Sequence, residues 1–230
     1  MVASRPVPQE QNTPVQQTYR QHPGTKEVYW LYEPSTYRRD TPAPLIISCH
    51  GTPPFDVNEH HIREWKMLAE RNGCIVATPN LQATDGIIGD GPISGMLECE
   101  RRILTLISLL GYQYNIDREK IMITGFSGGG FPTYWVGLRH PEVFSAVVAR
   151  NCNFSEINLD GWIPPADKAR RTRVKIYYGS NDPFPIILQS RAAIQYLRSK
   201  GFEVESQVLP GKGHQRQPEV AMEFFMRRRS

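Results

Sequence analysis

Two hydrophobic rhythms alternate along this chain of 230 residues. Short continuous apolar runs, of the kind a strand carries when both of its faces are covered, alternate with stretches in which apolar residues recur every third or fourth position. The runs predict strands at Leu45–Cys49, Cys74–Thr78, Ile121 into Ser127, Phe144–Ala149 and Val174–Tyr178, and Glu203–Leu209 reads as a last strand. Lys26–Glu33 is β-rich, is closed by Pro34 and reads as an early edge strand. Helical spacing covers Glu59–Arg71 (Ile62, Trp65, Leu68 and Ala69, stopped by Asn72-Gly73), Met96–Leu110, the stretch through Tyr134, Trp135 and Leu138, Ile187–Ser199 and Glu219–Met226. Strand and helix in alternation predict an α/β protein: a three-layer α/β/α sandwich around a mostly parallel, doubly wound sheet. Only some two dozen residues separate the strand ending at Ala149 from the one starting at Val174, so no large lid is expected. A long loop, Pro79 to Gly95, is the main irregular stretch.

One strand-to-helix junction differs from the others. Ile121-Met122-Ile123-Thr124 stops at Gly125-Phe126-Ser127-Gly128-Gly129-Gly130, after which the helical pattern begins. Gly125 to Gly129 is a G-x-S-x-G pattern in the context that gives it meaning, with the serine at a sharp strand-to-helix turn. Glycines on either side leave room for backbone that a Cβ would obstruct. A Ser-Gly-Gly-Gly stretch can also be a flexible linker, but linkers are flanked by polar residues, and Trp135 and Leu138 follow here.

A serine hydroxyl needs a base to take its proton, and the base needs an acid to hold its tautomer. In parallel sheets such groups sit on loops after the C-terminal ends of strands. Gly179-Ser180-Asn181-Asp182-Pro183 follows one strand and Pro210-Gly211-Lys212-Gly213-His214 follows the last. This predicts Ser127, Asp182 and His214 as nucleophile, acid and base, in one of the known chain orders. Asp182 could instead only open a turn before Pro183, and Asp160 and Asp167 are rivals, although neither follows a strand. His214 could be a surface histidine. The remaining histidines fit worse. His22 lies near the start, His140 at a helix end, and His50 at a strand end where it would shape a loop. His60 and His61 with Glu64 make no HExxH pattern and read as a solvated helix face. The oxyanion donors are expected at the N–H groups of Gly128 and Thr52, because Pro53 and Pro54 have none; Phe55 is the next available donor. Phe55, Ile88, Trp162 and Phe184 are candidate pocket walls, each of which could equally be core.

Composition removes several other classes. Hydrophobic content of 40%, charged content of 22% and a net charge of +4 describe an ordinary globular chain. The basic residues cluster in Arg170-Arg171-Thr172-Arg173 and Arg227-Arg228-Arg229 without interleaved aromatics, so nucleic acid is not the expected partner. No apolar run approaches membrane-spanning length. Cys49, Cys74, Cys99 and Cys152 are widely spaced, which argues against a zinc site and for reduced, buried thiols. The chemistry calls for no metal or cofactor. Residues 1–24, rich in Pro and Gln, read as a disordered leader to a single catalytic domain over 25–230. That leader fits a cytoplasmic protein or a secreted one already freed of its signal peptide.

Over about residues 26–228 the assembled chain resembles the α/β-hydrolase superfamily. Within it, it looks most like compact esterases of the polyhydroxybutyrate depolymerase-like, feruloyl esterase-like or acetyl xylan esterase-like kinds. The resemblance is carried by His50-Gly51, by Asn115-Ile116-Asp117-Arg118-Glu119-Lys120-Ile121 leading into Gly125–Gly129, by His140-Pro141-Glu142-Val143-Phe144, by Gly179-x-x-Asp182 and by Gly211-x-Gly213-His214. It departs from the pattern at Thr52-Pro53-Pro54, where many relatives have further glycines or a cysteine. It departs again at Gln215-Arg216, where secreted esterases often have a tryptophan. The resemblance implies the α/β-hydrolase fold and cleavage of small-molecule, polysaccharide-linked or polyester-type esters through an acyl-enzyme. A serine peptidase of the prolyl oligopeptidase kind is the enzymatic alternative, disfavoured by the lack of room for a propeller domain. A binding module that has kept the fold without catalysis is the other.

Overall fold

Alternating strands and helices carry one eight-stranded sheet through the chain. The computed structural model describes residues 16–82, 84, 93–165, 167 and 172–227. The strands are β1 (Gln16–Gln21), β2 (Val28–Glu33), β3 (Ala43–Cys49), β4 (Ile75–Pro79), β5 (Ile116–Ser127), β6 (Ala146–Cys152), β7 (Arg173–Gly179) and β8 (Val204–Leu209). The helices are α1 (Asn58–Asn72), α2 (Ile93–Gln113), α3 (Gly130–Arg139), α4 (Phe184–Ser199) and α5 (Pro218–Met226). Strand order across the sheet is β1-β2-β4-β3-β5-β6-β7-β8. β2 runs antiparallel to both of its neighbours, and β3 through β8 are joined by parallel pairings, which puts their C-terminal ends, and the loops that follow, on one edge.

Strand periodicity explains the layers. Successive side chains point to opposite faces, so on β3 Leu45 and Ile47 join one core while Ile46 joins the other. The first core is completed by α2, α3 and α4 through Met96, Ile103, Trp135 and Leu197. The second is completed by α1 and α5 through Ile62, Trp65, Met222 and Phe225. Burying each such side chain is worth roughly 1.5–3 kcal/mol, which is why the central strands read as unbroken apolar runs. The sandwich is that of the α/β-hydrolase fold. Between β6 and β7 the described residues form turns only, in keeping with the absence of a large lid.

Two expectations are corrected at the N-terminal side. Residues 16–21, assigned to the disordered leader, form β1, with Gln16 opposite Glu33 and Gln21 opposite Val28. Long-range partners hold this polar strand. Tyr19 packs on Trp30 at 5.0 Å between ring centroids, and Arg20 Nη1 donates to Tyr114 Oη at 2.9 Å. Residues 22–24 of that leader lead into a turn, and residues 1–15 lie outside the described residues. β2 is therefore an interior strand between β1 and β4 rather than an edge.

Candidate active site

The serine turn is built by close packing of backbone. Ser127 ends β5 with φ 53°, in the left-handed region, which costs a residue with a Cβ about 1–2 kcal/mol. Two hydrogen bonds hold it there: Gly129 N–H to Phe126 O at 2.8 Å and Asn153 N–H to Ser127 O at 2.9 Å. A Cβ on Gly129 would lie 2.6 Å from His50 O, and one on Gly125 would lie 2.6 Å from Gly129 C, so both glycines are sterically required. α3 begins directly afterwards, and the positive end of its dipole lies beside the serine.

The predicted acid and base meet. Asp182, buried on the turn after β7, accepts His214 Nδ1–H at Oδ1 over 2.7 Å. Its Oδ2 accepts Gly179 N–H at 2.8 Å and the Asn151 side-chain amide. His214, on the loop after β8, is part-exposed and stacks on Phe126 with ring centroids 4.6 Å apart. Phe126 immediately precedes Ser127, so the imidazole lies over the turn with Nδ1 committed to Asp182 and Nε2 left for the nucleophile. No hydrogen bond joins Ser127 Oγ to His214 among the described residues; such bonds commonly tighten only with substrate present.

Gly128 and Thr52 are also brought together, since a Cβ on Gly128 would lie 2.6 Å from Thr52 Oγ1. Thr52 Oγ1 donates to Thr84 O at 2.7 Å, while neither its N–H nor that of Gly128 is engaged among the described residues. His50 shapes this loop, as expected. Its Nε2 accepts Leu81 N–H at 2.9 Å, which leaves Nδ1–H to donate to Gly51 O at 2.8 Å.

The candidate walls divide. Phe55 (78% exposed) follows the Thr52 loop and Phe184 (69%) opens α4 just after Asp182, so both rim this edge. Trp162 packs on Trp135 at 5.5 Å and on Arg139, against the half of α3 that leads away from Ser127. Ile88 lies outside the described residues.

Three features escaped the sequence reading. The first is Asn151, which has φ 52° at the end of β6 and whose Nδ2 donates both to Asp182 and, at 3.2 Å, to Gly213 O. The second is Arg150, fully buried on β6 and bonded to Glu64 Oε1 at 2.6 Å. Burial disfavours the Arg150 charge, but the Glu64 carboxylate beside it favours that charge, and the pKa is raised. The third corrects an expectation: His61 is not on a solvated helix face but is 0% exposed. Ser48 Oγ accepts from Trp65 Nε1 at 2.9 Å, so its proton goes to His61 Nδ1 at 2.7 Å, and His61 Nε2–H donates to Asp56 Oδ2 at 2.8 Å. Spacing carried a signal for this, because His61 stands three residues after Asn58 and four before Trp65, both buried on α1. Although Ser48, His61 and Asp56 are the residue types of a triad, their full burial gives them no access to a substrate.

Comparison with known proteins bears on the fold. The prolyl oligopeptidase family matches residues 102–162, which span the serine turn. Dipeptidyl-peptidase 5 of Porphyromonas gingivalis is 27% identical over 135 residues, 55% of this chain and 19% of that protein. A bifunctional acetylxylan esterase/xylanase of Neocallimastix patriciarum is 27% identical over 116 residues, 50% of this chain and 16% of that protein. The chain thus spans less than a fifth of the length of these curated relatives. Among solved structures, a ferulic acid esterase from Anaeromyces mucronatus superposes with a TM-score of 0.68 at 16% identity, covering 95% of this chain and 91% of that one. With the strand order and the serine turn at the end of β5, these likenesses make this chain an α/β-hydrolase-fold protein.

Proposed function

We propose that this chain is a serine carboxylesterase working through an acyl-enzyme. The observation that carries the reading is the Asp182–His214 pair, 2.7 Å apart, with the imidazole stacked beside a serine in the left-handed region. In this mechanism Ser127 Oγ attacks the ester carbonyl carbon while His214 Nε2 takes its proton. Asp182 keeps the imidazole in the required tautomer and stabilises the imidazolium. The N–H groups of Gly128 and Thr52 receive the negative charge that forms on the carbonyl oxygen, each worth about 3 kcal/mol. His214 then protonates the departing alcohol, the ester C–O bond breaks, and water repeats the sequence to free the acid and Ser127. No step needs a metal or cofactor.

The substrate reading is an acyl ester of small-molecule, polysaccharide-linked or polyester type. The names of two similar proteins, a ferulic acid esterase and an acetylxylan esterase, support it. Phe55 and Phe184 at the rim offer apolar surface to an aromatic or acyl group. A peptidase reading is favoured by two observations, the prolyl oligopeptidase match across the serine turn and the likeness to a dipeptidyl-peptidase. Turnover of p-nitrophenyl acetate, butyrate and octanoate, of ethyl ferulate and of dipeptidyl p-nitroanilides tests both. Esters should be hydrolysed, and Ser127→Ala should reduce the rate to near background. Anilides cleaved in preference to every ester would overturn the esterase reading, and silence towards both, without labelling by a fluorophosphonate, would point to a non-catalytic module.

A further inference from the structure

A second buried carboxylate, outside the triad, touches both the oxyanion loop and the base loop. Asp56 accepts from three donors and faces a fourth polar group. Oδ2 accepts Gly51 N–H at 2.8 Å and His61 Nε2–H at 2.8 Å; Oδ1 accepts Arg216 Nη2 at 2.5 Å and faces His60 Nδ1 at 3.3 Å. Its own backbone N–H closes the loop onto Thr52 O at 3.0 Å. Gly51 lies between this carboxylate and the nucleophile: a Cβ there would be 2.9 Å from Asp56 Oδ2 and 3.2 Å from Ser127 Cβ.

The consequence falls on the Thr52 N–H. Gly51 O is held by His50 Nδ1–H, and in a trans peptide the following N–H points the opposite way. Gly51 N and Thr52 O, which flank that peptide, are both fixed by Asp56. Arg216 is the residue two after the candidate base. Its guanidinium lies 5.3 Å over the same Phe126 ring on which His214 stacks. The base loop is therefore tied to the oxyanion loop through one carboxylate.

We propose that Asp56 is a positioning residue for hydrolysis, with Arg216 as its partner: together they latch the Thr52 N–H and the His214 imidazole into one arrangement around Ser127. The inference rests on the esterase reading. It requires a carboxylate, because an amide has one acceptor oxygen and would turn its NH2 towards either the Gly51–His61 pair or the Arg216–His60 pair. Misplacement of either group by about 1 Å costs up to about 100-fold in rate.

The test uses Asp56→Asn, Arg216→Gln, their combination and Arg216→Lys, in steady-state hydrolysis of p-nitrophenyl butyrate and in the rate of fluorophosphonate reaction at Ser127. Each single variant should lower kcat and the labelling rate about 10- to 100-fold with KM within about threefold. The double variant should be no worse than the worse single, and Arg216→Lys, which keeps a charge within reach of Asp56, should recover part of the loss. Should Asp56→Asn fail to fold, Arg216→Gln carries the test, since that side chain is 31% exposed. Single variants within twofold of the wild type, losses that multiply in the double variant, or a kcat loss matched by the loss of folded protein would overturn the latch while leaving the esterase reading intact. A wild type that neither turns over esters nor takes the label would overturn the esterase reading, and the latch with it.

Discussion

Asn151 gives the sharpest test of how Asp182, the proposed acid, is held. Its side-chain amide donates to the Asp182 carboxylate and to Gly213 O, joining the acid turn to the base loop, while its backbone sits at φ 52°. Asn151→Ala removes both bonds. A hydrogen bond to a charged acceptor is worth about 1.5–3 kcal/mol and one to a neutral carbonyl about 0.5–1.5. Alanine in the left-handed region adds about 1–2 kcal/mol, a conformation that asparagine visits more readily. The expected destabilisation is therefore about 3–6 kcal/mol, a large fraction of a typical domain's stability. Asn151→Gly loses the same two bonds but not the backbone penalty. Glycine's extra unfolded-state entropy takes back about 0.5–1 kcal/mol, so it should be the more stable variant by about 0.5–1 kcal/mol. Urea unfolding followed by tryptophan fluorescence measures both, and hydrolysis of p-nitrophenyl butyrate reports the acid, since kcat should fall in each. The reasoning fails if Asn151→Ala unfolds within about 0.5 kcal/mol of the wild type, or if Asn151→Gly is the less stable of the two.

Three further outcomes are expected. Arg150→Met leaves the largely buried Glu64 with only the longer Arg216 Nε contact, at 3.5 Å, and should cost up to about 3–5 kcal/mol by denaturant titration; Arg150→Met combined with Glu64→Gln should recover part of it. Burial would raise the Asp56 carboxyl, but His61 and Arg216 outweigh it and hold it below its ordinary value of 3.8. A depressed carboxyl stabilises above that value and loses its contribution as pH falls, so stability should drop between about pH 5 and about pH 3, and Asp56→Asn should flatten that slope by up to about 1.4 kcal/mol per pH unit. Burial pushes the Cys74 and Cys152 thiols up to about 12 and raises Cys49 as well. Iodoacetamide at about pH 8 should therefore leave them unmodified until the protein unfolds, as read by intact mass.

What the sequence determined by itself is whatever local chemistry dictates. Apolar-rich runs named the buried strands from β3 to β7, and three-to-four-residue spacing named the five helices among the described residues to within a few residues of their ends. The serine turn was legible because its glycines answer a local steric demand, and the meeting of Asp182 with His214 because a parallel sheet puts its loops on one edge. Only the tertiary structure decided the partners. Residues 16–21 have no local reason to be a strand; β2 and Tyr114 supply it. His61 and Glu64 have the look of solvated helix residues until Arg150, 86 residues beyond Glu64, arrives from β6 and neutralises the charge inside the core. Asn151 and Asp56 work on groups 31 and 160 residues away in sequence, respectively Asp182 and Arg216. Burial and pairing of a polar side chain depend on which strand lies across from it, and that is a property of the folded sheet, which no short window of sequence contains.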